Sequence, residues 1–413
     1  MSQISGVEAA AVSALARAFL AGNTGEAGWR GAYDAFYQLP LVEVGPQQWL
    51  VAGHRDVNLL LKNAGAALSA VYPATLAPDL NELFLALLPY EHGPKHKRLR
   101  TIGQSLFSRS TFGCLRQHVA DLVESQALLR AFSAEGCEVA SELASLVPPL
   151  VSSVLLDIAV EDRDAVGRCA ATMYRQLGRY DQPPEELASA EAAVDELRDY
   201  VRRRSSDSSE TALGGVGNRL VQLRRDGTID ESELLNFFAL FLFTGMDTLT
   251  NAVANAVWFL GRRPDVFKTL HADPALARVA LEEVLRLWGP IRMCVRVLED
   301  EVGLDDQRLP AGSTVFLVVH AANRDSRHFQ DADTYRWGRS EGQSLAFGTG
   351  PHDCMGTAVG KAVGTTVFEV LATRCSELRS TPSEADAEFI PSIPILGIYS
   401  PRIYAVPAEG PRS

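Results

Sequence analysis

Apolar residues recur every three to four positions along most of this chain, the spacing that gathers them on one face of a helix. The pattern predicts helices over about 6–22, 54–63, 95–107, 115–130, 138–158, 163–176 and 184–205. Two-residue alternation is confined to short runs at 41–44 with 49–52, at 314–318, and in a C-terminal pair near Phe389 and Ile403. Serine and glycine crowd 203–217, which reads as a surface connection. No internal repeat is visible.

The longest predicted helix runs from Glu231 to Arg262, with Asp230 as its N-cap and Pro264 marking its end. At about 1.5 Å per residue it spans roughly 48 Å. Phe237, Phe238, Leu240, Phe241, Leu242, Phe243, Val253, Val257 and Trp258 cover nearly every side, so it must pass through the interior. Thr244, Asp247 and Thr248 interrupt that apolar run. Burying a carboxylate and hydroxyls there costs energy unless they find partners or line a wet cavity. Gly245, about 1 kcal/mol worse than Ala inside a helix, lets another group approach the backbone closely.

With 413 residues, 46% of them hydrophobic and 22% charged, the chain is globular and can bury a large core. No linker divides it, so a single domain over 1–413 is expected. A net charge of −12 argues against nucleic-acid binding. Six cysteines without paired spacing imply a reducing cytoplasm and no disulfide framework. The stretch 4–20 is broken by Glu8 and Arg17, so neither a signal peptide nor a membrane anchor is predicted.

Cys354 stands apart from the other cysteines. It follows the glycine-rich run Phe347-Gly348-Thr349-Gly350-Pro351-His352-Asp353 and precedes Met355-Gly356 and a helical stretch. Loop amides and a helix N-terminus stabilise a negative sulfur, and the glycines permit the backbone angles such a loop needs. A zinc or iron-sulfur site would lack its other thiolates here. Haem needs one axial protein ligand, and a thiolate there favours O–O cleavage. The plainer reading is a structural cysteine beside a flexible loop.

The run Phe-x-x-Gly-x-x-x-Cys, matched at Phe347, Gly348, Gly350, His352, Cys354 and Gly356, resembles the haem-thiolate loop of the cytochrome P450 family, in its soluble bacterial form. That resemblance implies a mainly α fold, a helical bundle with small peripheral β-sheets enclosing a buried haem b whose iron is held by Cys354. It implies further that Thr248 and Asp247 manage protons, the alcohol orienting the network and the acid relaying from solvent. Thr244 departs from the small residue usual in that motif, and a bond from its hydroxyl to a carbonyl one turn back is the simpler expectation.

Glu283 and Arg286, three apart on one helix face, resemble the family's Glu-x-x-Arg pair, with Arg339 as third partner and Arg336 as the alternative. Their role would be structural. The run His92 to Arg100 resembles the family's haem-propionate segment, which puts His96 and Arg100, together with Arg296 and His352, on the propionates. Lys95, Lys97, Arg98, Arg100 and Arg109 form an acid-free basic segment in an acidic protein, read either as a docking patch for a ferredoxin or as a solvated face.

By the same resemblance Leu83, Phe243, Thr244, Met293, Ile395 and Leu396 line a largely apolar substrate pocket, under a lid at about 170–200 that contains Arg175, Arg179 and Tyr180. The expected activity is a cytoplasmic monooxygenase. It would insert one atom of O2 into a small organic molecule, as in secondary-metabolite tailoring, with ferredoxin and ferredoxin reductase supplying electrons. An oxidase that couples or desaturates carbon centres, and a non-catalytic haem-thiolate carrier or sensor, are the alternatives.

Overall fold

The computed structural model describes residues 6–21, 26–39, 41–63, 66–67, 77–107, 117–118, 120–121, 139–176, 183–206, 215–380, 395–398 and 403–407. Contacts group the chain into two compact units, interleaved in sequence. One comprises Met1–Ser69, Ala120–Leu146 and Thr248–Ser413, and the other Ala70–Val119 with Val147–Asp247.

The first unit carries the sheets. Its five-stranded sheet runs in the order Val42–Gly45, Gln48–Val51, Thr314–Leu317, Cys294–Leu298, Ala66–Ala67. The Gln48–Val51 and Thr314–Leu317 strands pair parallel and the other neighbours antiparallel. The first hairpin turns on Pro46 and Gln47, and Gln47 takes the positive φ of 54° that follows a proline in a tight turn. One sheet face packs on the helix His54–Lys62, burying Val51, Val315 and Leu317 against Val57, Leu60 and Leu61. Ile403–Pro407 is a strand as expected, but its partner is Cys375–Ser380; the segment about Phe389 lies outside the described residues.

Three helices form the rest of this unit's core: the long helix from Thr248 onward, Ala277–Trp288, and Thr357–Arg374. They meet around Val253, Leu281, Leu285 and Val367. Gly364 is required there, since a Cβ would lie 2.7 Å from a methyl of Leu281. The helix Glu26–Phe36, absent from the sequence prediction, buries Trp29, Tyr33 and Phe36.

The second unit is helical. Pro184–Ser206 packs on Arg163–Tyr174, Pro78–Leu85 and Val216–Arg225, and the last of these also touches Gly93–Leu106. The long helix, Glu231–Arg262, begins with a reciprocal cap: Asp230 Oδ1 accepts from the Glu233 amide at 2.8 Å, and Glu233 Oε2 accepts from the Asp230 amide at 3.2 Å. Phe238 and Leu234 are buried, and the Phe84 and Phe243 rings stack at 4.9 Å. Of the helix expected over 115–130, only 117–118 and 120–121 are described, as helix. Arg109, Arg179 and Tyr180 lie outside the described residues.

Candidate active site

In the first unit, Cys354 is held by a loop closed on itself. Its amide donates to the Phe347 carbonyl at 2.9 Å, and the Gly348 amide donates to the Leu345 carbonyl at 2.8 Å. Gly348 (φ 68°) and Gly350 (φ 82°) take angles that side chains resist. Gly350 is also seated on the end of the His54–Lys62 helix, where a Cβ would lie 2.6 Å from the Leu61 carbonyl oxygen. The Phe347 ring packs on Gly360 in the first turn of the Thr357–Arg374 helix, with the Lys361 ammonium 6.0 Å from its centroid. Gly356 is that helix's N-cap, and Thr357 Oγ1 donates to the Cys354 carbonyl at 2.7 Å. His352 is half-buried.

Cys354 is the exposed thiol among the described cysteines. Burial, helped by the Glu196 carboxylate, pushes the Cys169 thiol up to about 12, and burial alone pushes Cys375 up to about 12. Burial also raises Cys294.

Arg296, on the Cys294–Leu298 strand, is 4% exposed, and its guanidinium makes one hydrogen bond, to the adjoining Val295 carbonyl at 3.0 Å. Burial lowers its pKa, and no carboxylate reaches it among the described residues. A buried cation with donors to spare requires an anionic partner. The carboxylate edge of a porphyrin would supply one, so the residues present fit a haem.

Glu283 gathers the meander ahead of the cysteine loop. Its carboxylate accepts from Arg286 Nε and Nη2, both at 2.8 Å, from Arg339 Nε at 2.9 Å, and from the Arg336 backbone amide at 3.2 Å. Both arginines expected at this position thus engage it, Arg339 by side chain and Arg336 by main chain. Arg286 Nη1 donates to the Asn323 and Ala332 carbonyls at 2.7 Å. Asn323 Oδ1 in turn accepts from the Leu345 amide at 2.7 Å, just before Phe347. Sequence reasoning passed over Asn323, although the clustered polar residues Asn323-Arg324-Asp325 inside an apolar stretch were a usable signal.

On the long helix, Leu240, Phe241, Leu242, Phe243 and Leu249 are buried, whereas Thr244 is exposed and Asp247 and Thr248 are half-buried. This polar turn is accessible between two buried runs of the helix. Thr244 Oγ1 donates to the Leu240 carbonyl at 2.6 Å, the bond one turn back that was expected. The close neighbour of Gly245 is Ser152, whose hydroxyl would lie 3.1 Å from a Cβ.

His96, in the second unit, is buried, and its pKa is lowered by burial and then by the Arg100 guanidinium one turn on. Lys95 is paired with Glu91 and Arg98 with Glu233, which leaves Lys97 exposed and without an ion pair among the described residues. Of the predicted pocket residues, Leu83 and Phe243 are buried in the second unit. Met293 and Leu396 are buried in the first, where Ile395 bridges to Ile291. Leu396 also donates its amide to the Pro290 carbonyl at 2.7 Å and accepts from Asn255 at 2.8 Å.

A family model described as Cytochrome P450 matches residues 191–371. Luteothin monooxygenase of Streptomyces thioluteus is 30% identical over 285 residues, 68% of this chain and 69% of that protein. The chain belongs to the cytochrome P450 family. Pentalenic acid synthase of Streptomyces avermitilis, 26% identical, aligns with 89% of this P450 and 92% of its own length. The crystal structure of CalO2 superposes with a TM-score of 0.79 at 26% identity, covering 92% of this chain and 96% of that one. The P450 is accordingly an oxidoreductase of the helical P450 fold, and its cofactor is iron protoporphyrin with an axial cysteine thiolate.

Proposed function

We propose that this P450 is a cytoplasmic monooxygenase that inserts one oxygen atom of O2 into a small organic molecule, in the tailoring of a secondary metabolite. The relatives named luteothin monooxygenase and pentalenic acid synthase support that reading of the reaction and its setting. The observation that carries it is the contrast at sulfur: Cys354 is exposed at the head of a helix, in a loop fixed by Gly348 and Gly350, while Cys169 and Cys375 are buried. Bound haem supplies the oxygen-activating redox chemistry.

Cys354 would hold the iron of a bound haem through its thiolate, the charge favoured by the helix N-terminus. Phe347, packed on Gly360, and Gly356, capping the helix, hold the loop in register with the sulfur. Arg296 and His352 in the first unit would hold haem propionate, and the family resemblance carries the same role to His96 and Arg100 in the second. Glu283, Arg286 and Arg339 fix the meander that carries the loop. Thr248 orients a proton-donating network and Asp247 passes protons from solvent into it. On this reading Leu83 and Phe243 of the second unit, and Met293, Ile395 and Leu396 of the first, are the apolar residues that meet the substrate, and Thr244 is a polar one. Ferredoxin and its reductase supply the electrons, with Lys97 the cation of the basic segment best placed to meet an acidic partner.

The test is the reduced carbon monoxide complex. Wild type is expected to show the strongly red-shifted Soret band of thiolate ligation, and Cys354→Ser to lose it. An unchanged band in the variant would overturn the assignment.

A further inference from the structure

Arg292, next to the predicted pocket residue Met293, is a guanidinium with 4% exposure. Among the described residues its Nε has no hydrogen-bond partner and no carboxylate forms an ion pair with it. A guanidinium charge held in a largely buried side chain is costly to leave without an acceptor. The Arg292 carbonyl accepts from the His320 amide at 3.1 Å, which sets the residue beside the Tyr33–His320 pair, while Arg296 lies four residues on, within the Cys294–Leu298 strand.

The surroundings of Arg292 are cationic. The Tyr33 hydroxyl lies 3.0 Å from His320 Nδ1, and His320 Nε2 lies 2.8 Å from the Leu287 carbonyl. That pairing makes Nε2 the protonated nitrogen and leaves Nδ1 to accept from Tyr33. Arg324 Nε, at 3.4 Å from the same Nε2, is then a charged neighbour more than a donor. Arg324 is itself satisfied: it pairs with Asp333, donates to the Leu287 carbonyl at 2.7 Å, and lies over the Trp29 and Trp288 rings at 5.3 and 5.0 Å. The charges of Arg324, Arg292 and Arg30 all bear on His320, and burial holds that ring neutral. Asp333 is the one carboxylate acting on Tyr33, and Arg324 already uses it.

We propose that Arg292, with Tyr33 beside it, is a binding site for a small oxyanion, a carboxylate or an inorganic phosphate. The guanidinium fork presents paired donors that match two oxygens of such a group. The Trp29, Tyr33 and His320 rings pack on one another beside it, with centroids 4.9 to 5.8 Å apart. Occupancy ties the Glu26–Phe36 helix, through Tyr33, to the segment that leads into the Cys294–Leu298 strand.

The test uses the holoprotein. Thermal unfolding is followed while formate, or in a second series inorganic phosphate, replaces chloride at constant ionic strength. Wild type should show a saturable rise of several degrees in Tm. Arg292→Met, which keeps the bulk and removes the charge, should show none, and without added oxyanion should unfold at or above the wild-type temperature because a buried unpaired cation is gone. Arg292→Lys retains the charge without the fork and should respond only weakly, which keeps the proposal testable should the methionine variant not fold. A rise with formate alone assigns a carboxylate, and one with phosphate alone an inorganic anion. A wild-type Tm indifferent to both, or an Arg292→Met or Arg292→Lys response equal to wild type, overturns the site.

Discussion

Replacing Glu283 by Gln removes one negative charge at the point where three segments of the chain converge. The carboxylate receives four donors, from Arg286 Nε and Nη2, Arg339 Nε and the Arg336 amide, and both it and Arg286 are buried, at 5% and 2% exposure. Gln keeps one acceptor oxygen and turns an amide NH2 toward a guanidinium, so at least one of these bonds becomes a donor–donor contact. Arg339 retains Glu341 and the Gln330 carbonyl, but Arg286 retains only backbone carbonyls and the face of the Phe329 ring at 5.0 Å. Breaking a buried pair on one side costs about 3–5 kcal/mol. With a urea dependence of about 3 kcal/mol/M, the unfolding midpoint should fall by about 1–2 M. Far-ultraviolet circular dichroism of the holoprotein in a urea series measures it, with the Soret band reporting haem loss in the same samples. Arg286→Met placed on top should cost much less than it does alone, because its partner has gone. A midpoint shift under about 0.3 M, or strict additivity in the double variant, would refute the reasoning.

Thr248→Ala is expected to divert reducing equivalents into hydrogen peroxide, measured as peroxide formed per reductant consumed; tightly coupled turnover would remove the proton role. Lys97→Glu should slow reduction by an acidic ferredoxin, and the difference from wild type should shrink as salt is raised toward a Debye length of about 3 Å; an indifferent rate contradicts docking there. Arg296→Met should weaken haem retention against apomyoglobin, since it removes the cation held ready for a propionate. For His320, burial and then the Arg324 charge depress the pKa well below 6.5. Its contribution to stability is thus full above about pH 6.5 and is lost as pH falls through and below that value. His320→Gln, which keeps an acceptor for Tyr33 and a donor for Leu287, should flatten the acid limb of the stability profile by up to about 1.4 kcal/mol per pH unit; an unchanged slope would show that other groups govern it.

The long helix was legible almost to the residue, because its apolar run, Asp230 cap and terminal Pro264 all report the same local physics. The Cys354 loop was legible for the same reason: glycines at Gly348 and Gly350 encode backbone angles directly. What the sequence concealed depends on distant partners. The Glu26–Phe36 helix has no Leu, Ile, Val or Met to mark a buried face, and its aromatic side chains find their places beside Trp288, His320 and Arg324. Ile403 pairs with Cys375–Ser380, a strand whose polar residues face solvent and leave no clean alternation to read. Arg292 was hidden by its neighbours, since one charge inside Ile291–Val295 does not disturb an apolar average. In the basic segment, acids such as Glu233, far along the chain, pair with cations that look unopposed in sequence.

The central claim is a bond between the Cys354 sulfur and haem iron, and X-ray absorption at the iron edge of the purified holoprotein reports it directly. The account predicts one sulfur in the first coordination shell of wild type and none in Cys354→Ser. A wild-type shell of nitrogen and oxygen alone, or a sulfur that survives the substitution, would contradict it.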